Sequence, residues 1–557
     1  MSEASLYPPI DPNTFDLIVV GTGLPEAVIA AAASAAGKTV LHLDPNTFYG
    51  SHFASLSTSE LASFLNSHYT APQSSSTSTT TTTTNTTVSD DLDYTAIDLA
   101  CRSLYSDIEI SSYAPEVLAE HSRKFNIDLG GPKVFFCADK AIDLIVKSGA
   151  SQYVEFKGID SNFIHNDTGR LWNVPDSRAA IFKDKTLSLT EKNQLMRFFK
   201  LVQHHLEVSD ASNENEGSEK SKISEEDLES TFVEFLRKKG LPPKIKSIIL
   251  YAIAMADYDQ DDLEVCKDVL KTKDVIDRLA LYQKSVGRFP NAPGAMIYPL
   301  YGHGELSQAF CRRAAVKGCI HVLRMPVIAL LMDKGSEQYK GVRLASGQDL
   351  FSNQVVLDPT FVVPFPLASS PPETLRQSLP GKVARGICVT KTSLKPDISN
   401  LLIVYPPRSL YPEQNVSIRV LQIGGSLAVC PSGMFILYLS ALCDNAKQGK
   451  DLLHEAMNAL LELPVSENAE NSSEVQNENS EVNPNLLWSA TYIQELTKGR
   501  FEHPCAGPMP DGNLNYDNLL DTAVKLFQKM YPDEEFFPET ISEENMEDEA
   551  GGLSLES

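Results

Sequence analysis

Gly21, Gly23 and Glu26 follow a short apolar run and form a dinucleotide-binding fingerprint in which one position is changed. In this fingerprint, glycines allow a tight turn and let a pyrophosphate approach the N-terminus of the next helix. Here a glutamate stands at the third glycine position. Asp44, after the next predicted strand, occupies the place of the acid that binds a ribose hydroxyl. The residue types therefore indicate nucleotide-binding chemistry with one misplaced carboxylate.

The carboxylate of Glu26 supports two interpretations of this site. A negative charge in the first turn suits the helix dipole, but it would lie against a bound diphosphate. The first interpretation is a flavoprotein-like fold whose site is closed, so that no cofactor binds. The second is that the substitution is tolerated and a dinucleotide still binds. We favour the closed site.

The elements that would position these residues form a βαβ unit. An apolar run at 15–20 predicts the first strand, an alanine-rich segment predicts the helix, and 39–43 predicts the second strand. Because more strands follow after about residue 290, we expect the chain to leave this sheet and return to it. The later strand-like segments include 342–344, 355–357 and 403–405.

Other reaction classes lack the residues that they need. Gly37-Lys38-Thr39 resembles the end of a phosphate-binding loop, but Ala32 stands where that loop requires a glycine. The sequence contains no Gly-x-Ser-x-Gly elbow and no His-Glu-x-x-His zinc motif. We therefore predict neither a nucleophile nor a metal site.

Composition limits the partners and the compartment. The chain has 557 residues, 42% of them hydrophobic, and a formal net charge of -25 at pH 7. This charge disfavours binding to nucleic acid and favours contact with basic protein segments. The nine cysteines are scattered, which is typical of a reducing compartment. Without an apolar stretch long enough to span a bilayer, we expect a cytoplasmic protein that touches membranes transiently and peripherally.

The pattern of apolar and polar segments predicts a large α/β domain with a small helical domain inserted in it. We expect the large domain over 1–124 and 291–531, and the helical domain over 125–290. Three polar segments contain too few hydrophobic residues to order themselves, and the chain ends in an acidic tail. The predicted disordered insertions are 74–87, 209–229 and 466–485, and the predicted disordered tail is 532–557.

The segment 244–256 is predicted to form a helix that is apolar almost all the way round. Such a helix must be buried or must line an apolar site. Two arrangements satisfy this requirement: a central helix of a small bundle, and one wall of a groove that accepts a lipid. In the second arrangement Ile248, Ile249 and Ile253 would line the groove.

Residues 296–326 carry the most distinctive pattern in the chain. A glycine-rich turn at 302–304 precedes a predicted helix on which Glu305 and Arg312 lie seven residues apart, two turns along one face. Taken alone, this is a helix with an N-terminal acid and an ordinary surface arginine. Two further sequence blocks accompany this segment. The first comprises 20–26 and 43–50, and the second comprises 125–129, 144–149 and 153–157.

Together these blocks resemble the superfamily formed by Rab escort proteins and Rab GDP-dissociation inhibitors. The resemblance covers roughly residues 15–70, 95–205 and 230–450 and includes the glutamate at the third glycine position. It implies a flavin-monooxygenase-like large domain, with a dinucleotide-type βαβ sheet and a mixed sheet, and no bound flavin. It also implies a platform that binds Rab GTPases. The family's platform tyrosine falls on Tyr49, its glutamate on Glu305 and its arginine on Arg312.

The segment 174–182, followed by Glu191-Lys192, is similar to the escort branch, and the length of the chain agrees. The resemblance then implies a non-catalytic accessory subunit that binds newly made GDP-bound Rab GTPases. It would present them to the Rab geranylgeranyltransferase heterodimer and carry the prenylated product to membranes. Escort proteins dock that transferase through their helical domain, and Arg324 is our candidate for this contact. A Rab GDP-dissociation inhibitor and a flavin-dependent oxidoreductase are the alternatives.

Overall fold

A computed structural model describes residues 8–68, 86–87, 93–166, 169–175, 178–210, 223–336, 338–362, 381–461 and 486–538 of the chain. The strands, in chain order, are β1 Thr14–Val20, β2 Val40–Asp44, β3 Ser55–Leu56, β4 Thr86–Thr87, β5 Tyr94–Asp98, β6 Ala100–Cys101, β7 Tyr105–Ser112, β8 Ile127–Asp128, β9 Phe135–Phe136, β10 Phe156–Gly158, β11 Ser161–His165, β12 Leu171–Asn173, β13 Met296–Pro299, β14 Ile320–Leu323, β15 Val327–Asp333, β16 Tyr339–Leu344, β17 Asp349–Leu357, β18 Phe361–Val362, β19 Lys382–Thr390, β20 Leu401–Tyr405, β21 Ile418–Gly424, β22 Phe435–Cys443, β23 Leu486–Glu495 and β24 Cys505–Ala506.

The helices complete an α/β fold, which confirms the predicted fold class. The α-helices are α1 Leu24–Ala35, α2 Thr58–Ser67, α3 Pro115–Glu120, α4 Lys140–Lys147, α5 Arg178–Lys183, α6 Leu189–Asp210, α7 Glu225–Glu229, α8 Phe232–Lys238, α9 Pro243–Ser247, α10 Thr272–Ser285, α11 Gly304–Val316, α12 Ala446–Leu460 and α13 Asp517–Met530. A π-helix, Ile248–Ile253, directly follows α9. Within the described residues, no helix combines the length and the hydropathy that crossing a bilayer requires.

The first sheet has nine strands and is built around the predicted βαβ unit. Its order is β14, β2, β1, β17, β16, β15, β5 and β4, and β24 pairs with β17. The strands from β14 to β17 are parallel, whereas the neighbours from β17 to β4 are antiparallel. Parallel neighbours require a crossover, and α1 supplies it between β1 and β2. This crossover places the glycine-rich turn at the end of β1.

Helix α1 lies at the centre of a helical layer that belongs to this sheet. All its residues from Leu24 to Ser34 are buried, and it packs against α11 on one side and α13 on the other. The alanine-rich sequence explains the position, because small side chains let neighbouring helices approach closely. The C-terminal α13 is thereby part of the same core as the N-terminal βαβ unit.

The second sheet has eight strands in the order β12, β11, β20, β21, β22, β19, β23 and β7. Alternate residues of its strands face opposite sides, as the period of two requires. Leu402 and Val404 belong to the core that also contains side chains of the helices between α5 and α10. Leu401 and Ile403 belong to the core on the other face, which α12 covers. The predicted strand at 403–405 is therefore confirmed, but it belongs to this second sheet.

The helical region is smaller than the predicted domain at 125–290. The first part of that range contributes the short strands β8 to β12, of which β11 and β12 extend the eight-stranded sheet. Most of the helices in this range, α5 to α10, lie after residue 177. Strands of two to five residues carry too few positions for their period to be read from the sequence.

Three of the segments predicted to be disordered are ordered in part. α6 extends into 209–229 and α7 lies within it, where Ser224 caps α7 and Asp227 pairs with Lys238 at 2.6 Å. Residues 86–87 form β4. At the start of the predicted tail, Glu534 pairs with Lys38 at 2.5 Å and Phe537 is buried. The rest of these segments, and 466–485, lie outside the described residues. Composition missed the ordered parts because an average over a segment does not reveal specific partners, such as Ser224 for α7, β5 for β4 and Lys38 for Glu534.

Candidate functional site

Glu26 fills the space in which the fingerprint would need a third glycine. The residue lies in the first turn of α1 and is 1% exposed. A Cβ atom added to Gly507 would lie 1.7 Å from its Oε1, and one added to Gly23 would lie 2.4 Å from its Oε2. Two glycines therefore leave the room that the carboxylate occupies. Among the described residues, Oε1 finds no hydrogen-bond partner.

The surroundings of Glu26 favour its protonated form. Burial raises the pKa of this carboxyl group well above its ordinary value, and the charge of Asp358 raises it further. Desolvation penalises a carboxylate much more than a neutral carboxylic acid. The pocket therefore tolerates this side chain best when it is uncharged.

Asp44, at the position of the ribose-binding acid, already has protein partners. It accepts hydrogen bonds from the backbone N of Thr22 at 2.7 Å and from Thr22 Oγ1 at 2.6 Å. The backbone N of Asn46 donates to its other oxygen at 2.7 Å. These bonds tie the end of β2 to the glycine-rich turn, so Asp44 here serves the fold.

Asp358 is a third buried carboxylate beside the same turn. It accepts from Ser51 Oγ at 2.6 Å and from the backbone N of Thr360 at 2.9 Å, and it lies 3.2 Å from His52 Nε2. Burial alone would raise the pKa of Asp358, but His52 and these hydrogen bonds hold it below its ordinary value. A Cβ atom on Gly21 would lie 2.8 Å from Asp358. This acid therefore stands directly over the first glycine of the fingerprint.

The residues present do not fit a dinucleotide cofactor. In the fingerprint, the diphosphate lies against the glycine-rich turn and the helix N-terminus. Here that turn is bordered by Glu26, Asp44 and Asp358, all of them buried. A diphosphate would have to displace these side chains and would then face the negative charge of Asp358, whose pKa is held below its ordinary value. We therefore derive no redox chemistry from this pocket.

We expect Glu26→Gln to stabilise the protein at neutral pH. The pKa of Glu26 is higher in the folded than in the unfolded protein, so protonation of Glu26 stabilises the fold. This stabilisation is complete at a pH below the unfolded-state pKa. It is lost as the pH rises through the folded-state pKa. The amide does not ionise. Thermal unfolding from pH 4.5 to 8 should show a melting-temperature advantage of the variant that widens with pH. The control is Glu116→Gln on the exposed side of α3. The prediction would be contradicted if melting temperature depended on pH in the same way in the unmodified protein and in both variants.

Tyr49, Glu305 and Arg312, the residues that the resemblance places on the platform, line one open cavity. Its volume is about 410 Å³. The structure therefore brings together three side chains that are up to 263 positions apart in the sequence. We call this surface the platform cavity. Its other lining residues are Tyr153, Gln308, Ala309, Cys311, Ala315, Cys319 and His321.

The half-buried Ser55 and the buried Asp128 fix the start of α11 and so the direction of Glu305. Ser55 Oγ accepts from the backbone N of Gly304 at 2.7 Å and donates to Asp128 at 2.6 Å, while Asp128 accepts from the backbone N of His303 at 2.8 Å. A Cβ atom on Gly302, where φ is 97°, would lie 2.6 Å from Ser55 Oγ. This close approach requires the glycine-rich turn at 302–304. The sequence did not indicate the contact with Ser55 and Asp128.

Arg312 and Tyr49 are each held by an aromatic neighbour. The guanidinium carbon of Arg312 lies 4.8 Å from the centroid of the Tyr153 ring, a cation–π geometry, while the residue stays exposed. Tyr49 is half-buried and meets the ring of His321 edge to face at 6.2 Å. Nothing in the sequence singled out Tyr153 or His321, because their roles depend on contacts across elements.

Glu305 completes the platform cavity with a half-buried acid. Burial raises the pKa of its carboxyl group, although Gln308 Nε2 donates to it at 3.0 Å. A carboxylate with part of its hydration already removed gains more from a partner that donates hydrogen bonds. Together with the exposed guanidinium of Arg312, this surface suits a partner that carries complementary charges.

Arg324 does not lie where its predicted role requires. It is exposed and follows β14 at the edge of the nine-stranded sheet, with a left-handed φ of 59°. Its backbone N donates to the carbonyl of Asn46 at 3.0 Å. The implied docking uses the helical domain, so the placement of Arg324 in the large domain argues against assigning it to that contact.

The three predicted groove residues are buried in the core. Ile248 and Ile249 are 0% exposed and Ile253 is 2% exposed. The predicted helix over 244–256 is a short α-helix followed by the π-helix, and it ends before Met255, whose φ is 56°. The structure therefore shows the central-helix arrangement, in which these side chains do not line an open groove.

The comparisons with known proteins agree along the whole chain. A family model described as GDP dissociation inhibitor matches residues 11–81 and 91–494. Rab escort protein 1 of Arabidopsis thaliana is 57% identical over 99% of both chains. Rab proteins geranylgeranyltransferase component A 2 of Mus musculus is 26% identical over 97% of this chain and 99% of its own.

The fold comparison points the same way. A crystal structure of a Rab GDI from Plasmodium falciparum superposes with a TM-score of 0.65 at 16% identity, covering 94% of this chain and 99% of its own. This likeness concerns the fold alone. The sequence matches show that the chain belongs to the GDP dissociation inhibitor family, on the branch of the Rab escort proteins.

Proposed function

We propose that this protein acts as a Rab escort protein. It binds newly made GDP-bound Rab GTPases, presents them to Rab geranylgeranyltransferase, and accompanies the prenylated product to membranes. One observation carries the proposal: Tyr49, Glu305 and Arg312, the three positions that match the family's platform, share one open cavity. The names of its full-length relatives support it, since one is a Rab escort protein and the other is a component of a geranylgeranyltransferase.

On this proposal the platform cavity binds the folded GTPase. Arg312 is pre-organised by its contact with Tyr153, so less side-chain entropy is lost when it pairs with an acid of the partner. Glu305 offers a charge-assisted contact of opposite sign, and Tyr49 offers an amphipathic ring. Tyrosine and arginine are among the residue types that dominate binding energy at protein interfaces.

The protein itself performs no chemical step in this proposal. It holds the GTPase so that the cysteine-containing tail stays near the active site of the transferase. Tethering raises the effective concentration of the tail without a specific grip on its cysteines. Catalysis then belongs to the transferase, and this chain is its accessory subunit.

We place the prenyl-binding function in the helical region, 178–285. Burying a twenty-carbon isoprenoid could stabilise a complex by at most about 16 kcal/mol before ordering costs, at about 0.8 kcal/mol per carbon. Ile248, Ile249 and Ile253 are buried, so a lipid reaches them only if neighbouring helices separate. The π-helix supports this placement, because such turns often occur at functional sites.

Reconstituted prenylation tests the function. Unprenylated Rab GTPase, the transferase heterodimer and geranylgeranyl diphosphate are combined with and without the purified chain, and lipid transfer is measured. We expect transfer to depend on the chain. A Rab GDP-dissociation inhibitor, the first alternative, would bind prenylated Rab but leave transfer unsupported. A flavin absorbance band in the purified protein would favour the second alternative, an oxidoreductase.

Arg312→Ala should weaken binding of a GDP-bound Rab GTPase by about 1–3 kcal/mol, roughly 5- to 150-fold in Kd. The variant loses the exposed guanidinium while the buried face of α11 remains intact. Titration calorimetry with unprenylated Rab measures the effect. The melting temperature should stay within the range of ordinary surface substitutions.

The matched control is Lys525→Ala, which removes an exposed cation from α13 in the same helical layer. Its affinity for Rab should equal that of the unmodified protein. If Rab binding depended only on the overall positive charge, both variants would bind Rab more weakly to the same extent. Equal affinity of the Arg312→Ala variant and the unmodified protein would refute the assignment of this residue.

A further inference from the structure

Four nitrogen and sulfur side chains lie close together beside the platform cavity, and the last three of them line it: His42, Cys311, Cys319 and His321. They come from three elements, since His42 lies in β2, Cys311 in α11 and His321 in β14, while Cys319 precedes β14. Sequence spacing does not reveal them, because His42 is far from the other three. The sequence-based expectation of no metal site rested on that spacing.

We propose that these four side chains form a binding site for a soft divalent cation, with Zn²⁺ as the matching ion. Two thiolates and two imidazoles are a ligand set typical of structural zinc. The proposal concerns metal binding by this chain and does not depend on whether the platform cavity binds a GTPase.

The distances suit a tetrahedral ion. His42 Nδ1 lies 3.9 Å from Cys311 Sγ, and Cys319 Sγ lies 3.9 Å from His321 Nε2. Ligand atoms of His42, Cys319 and His321 all lie within 4.8 Å of one another. In a tetrahedral site with the usual zinc bond lengths, neighbouring nitrogen and sulfur ligands are about 3.6 Å apart. Shifts of about 1 Å would bring the ligand atoms of His42, Cys319 and His321 to coordinating distance, and Cys311 is placed as the fourth ligand by its approach to His42.

The tautomer of His42 is already the one that a metal requires. Its Nε2 lies 2.7 Å from the carbonyl oxygen of Gly21. A carbonyl can only accept a hydrogen bond, so Nε2 carries the proton and Nδ1 keeps its lone pair. Nδ1 is the ring atom that lies 3.9 Å from Cys311 Sγ. A backbone carbonyl that fixes the second ring nitrogen is the usual support for a metal-bound histidine.

Burial and access also agree with a bound ion. His42 is 0% exposed, and Cys311 and Cys319 are buried, so three ligands are shielded from water. Cys311, Cys319 and His321 line the platform cavity, which gives an ion a path from solvent. Binding of Zn²⁺ displaces one proton from each thiol, so two protons are released and no oxidant or reductant takes part.

Zinc titration of the full chain tests this site. The chelator-treated, reduced protein is titrated with zinc chloride, and stoichiometry is read by elemental analysis. We expect one equivalent. With cobalt chloride we expect the visible bands of a tetrahedral Co²⁺ ion together with thiolate-to-metal charge transfer. Absence of thiolate charge transfer in the unmodified protein would overturn the proposal without any variant.

Two variants locate the ion. Cys319→Ser and His321→Ala should each lower zinc affinity at least tenfold, and His321→Ala serves alone if the buried serine prevents folding. Cys101→Ser, at an exposed thiol outside the cluster, should bind zinc unchanged. Melting curves without metal confirm that the variants fold. Zinc binding that is the same in the His321→Ala variant and the unmodified protein would also overturn the proposal.

Discussion

Arg385→Ala should lower the free energy of unfolding by about 3–5 kcal/mol, because it leaves several buried acceptors unpaired. Arg385 lies on β19 and is 1% exposed. Its Nε donates to Gln494 Oε1 at 2.6 Å. Its Nη1 donates to the carbonyl of Gly131 at 2.7 Å, and its Nη2 donates to the carbonyl of Asp511 at 2.8 Å. One side chain thus joins the second sheet to two loops. Denaturant unfolding at pH 7 measures the loss.

The two comparison variants for this prediction separate charge from geometry. Arg197→Ala removes an exposed guanidinium from α6 and should change stability by less than about 0.5 kcal/mol. Arg385→Lys keeps the charge but cannot present the same fork of donors, so it should recover only part of the loss. A loss below about 1 kcal/mol for Arg385→Ala would show that other contacts hold the two loops.

Ile249→Ala should lower the free energy of unfolding by about 2–5 kcal/mol, the usual range for a large core side chain replaced by alanine. The residue is 0% exposed and lies in the π-helix, within the core cluster that also contains Phe232 and Leu279. The missing methyl and methylene groups would leave a cavity that fixed neighbours cannot fill. Denaturant unfolding reports the stability, and binding of a prenylated Rab is measured on the same samples.

This second measurement tests whether the buried apolar helix also contacts the lipid of a bound Rab. If the helix serves only the core, the Ile249→Ala protein loses stability, and its lipid affinity falls only in proportion to the fraction that is unfolded. A groove wall would lose lipid affinity while the free energy of unfolding stays nearly constant. Val146→Ala, at a side chain that is 62% exposed on α4, is the matched control and should leave both quantities unchanged.

The βαβ unit and the place of Glu26 in it were predictable because they depend on local sequence. Strand, turn, helix and strand follow one another within 14–44, and Glu26 is conspicuous in a position that the fingerprint reserves for glycine. The platform residues Tyr49, Glu305 and Arg312 came from family resemblance and not from their own chemistry. Their shared cavity is a property of the folded chain.

The remaining features depend on contacts between distant segments. Ser55 and Asp128 cap α11 from two other parts of the chain, and His42 meets Cys319 only when β2 and β14 pair. The π-helix could not be distinguished from an α-helix, because both need the same apolar residues. Local periodicity carries no information on any of these contacts.

The pairing of β7 with β23 has a consequence for biosynthesis. These strands come from opposite ends of the chain, and α13, which covers α1, follows β23. During translation neither layer can close until residues 486–538 have left the ribosome. Until then, apolar strand edges stay open to wrong partners, a state that invites aggregation. Nascent chains of this protein should therefore depend on chaperones, and truncated fragments should accumulate as insoluble material.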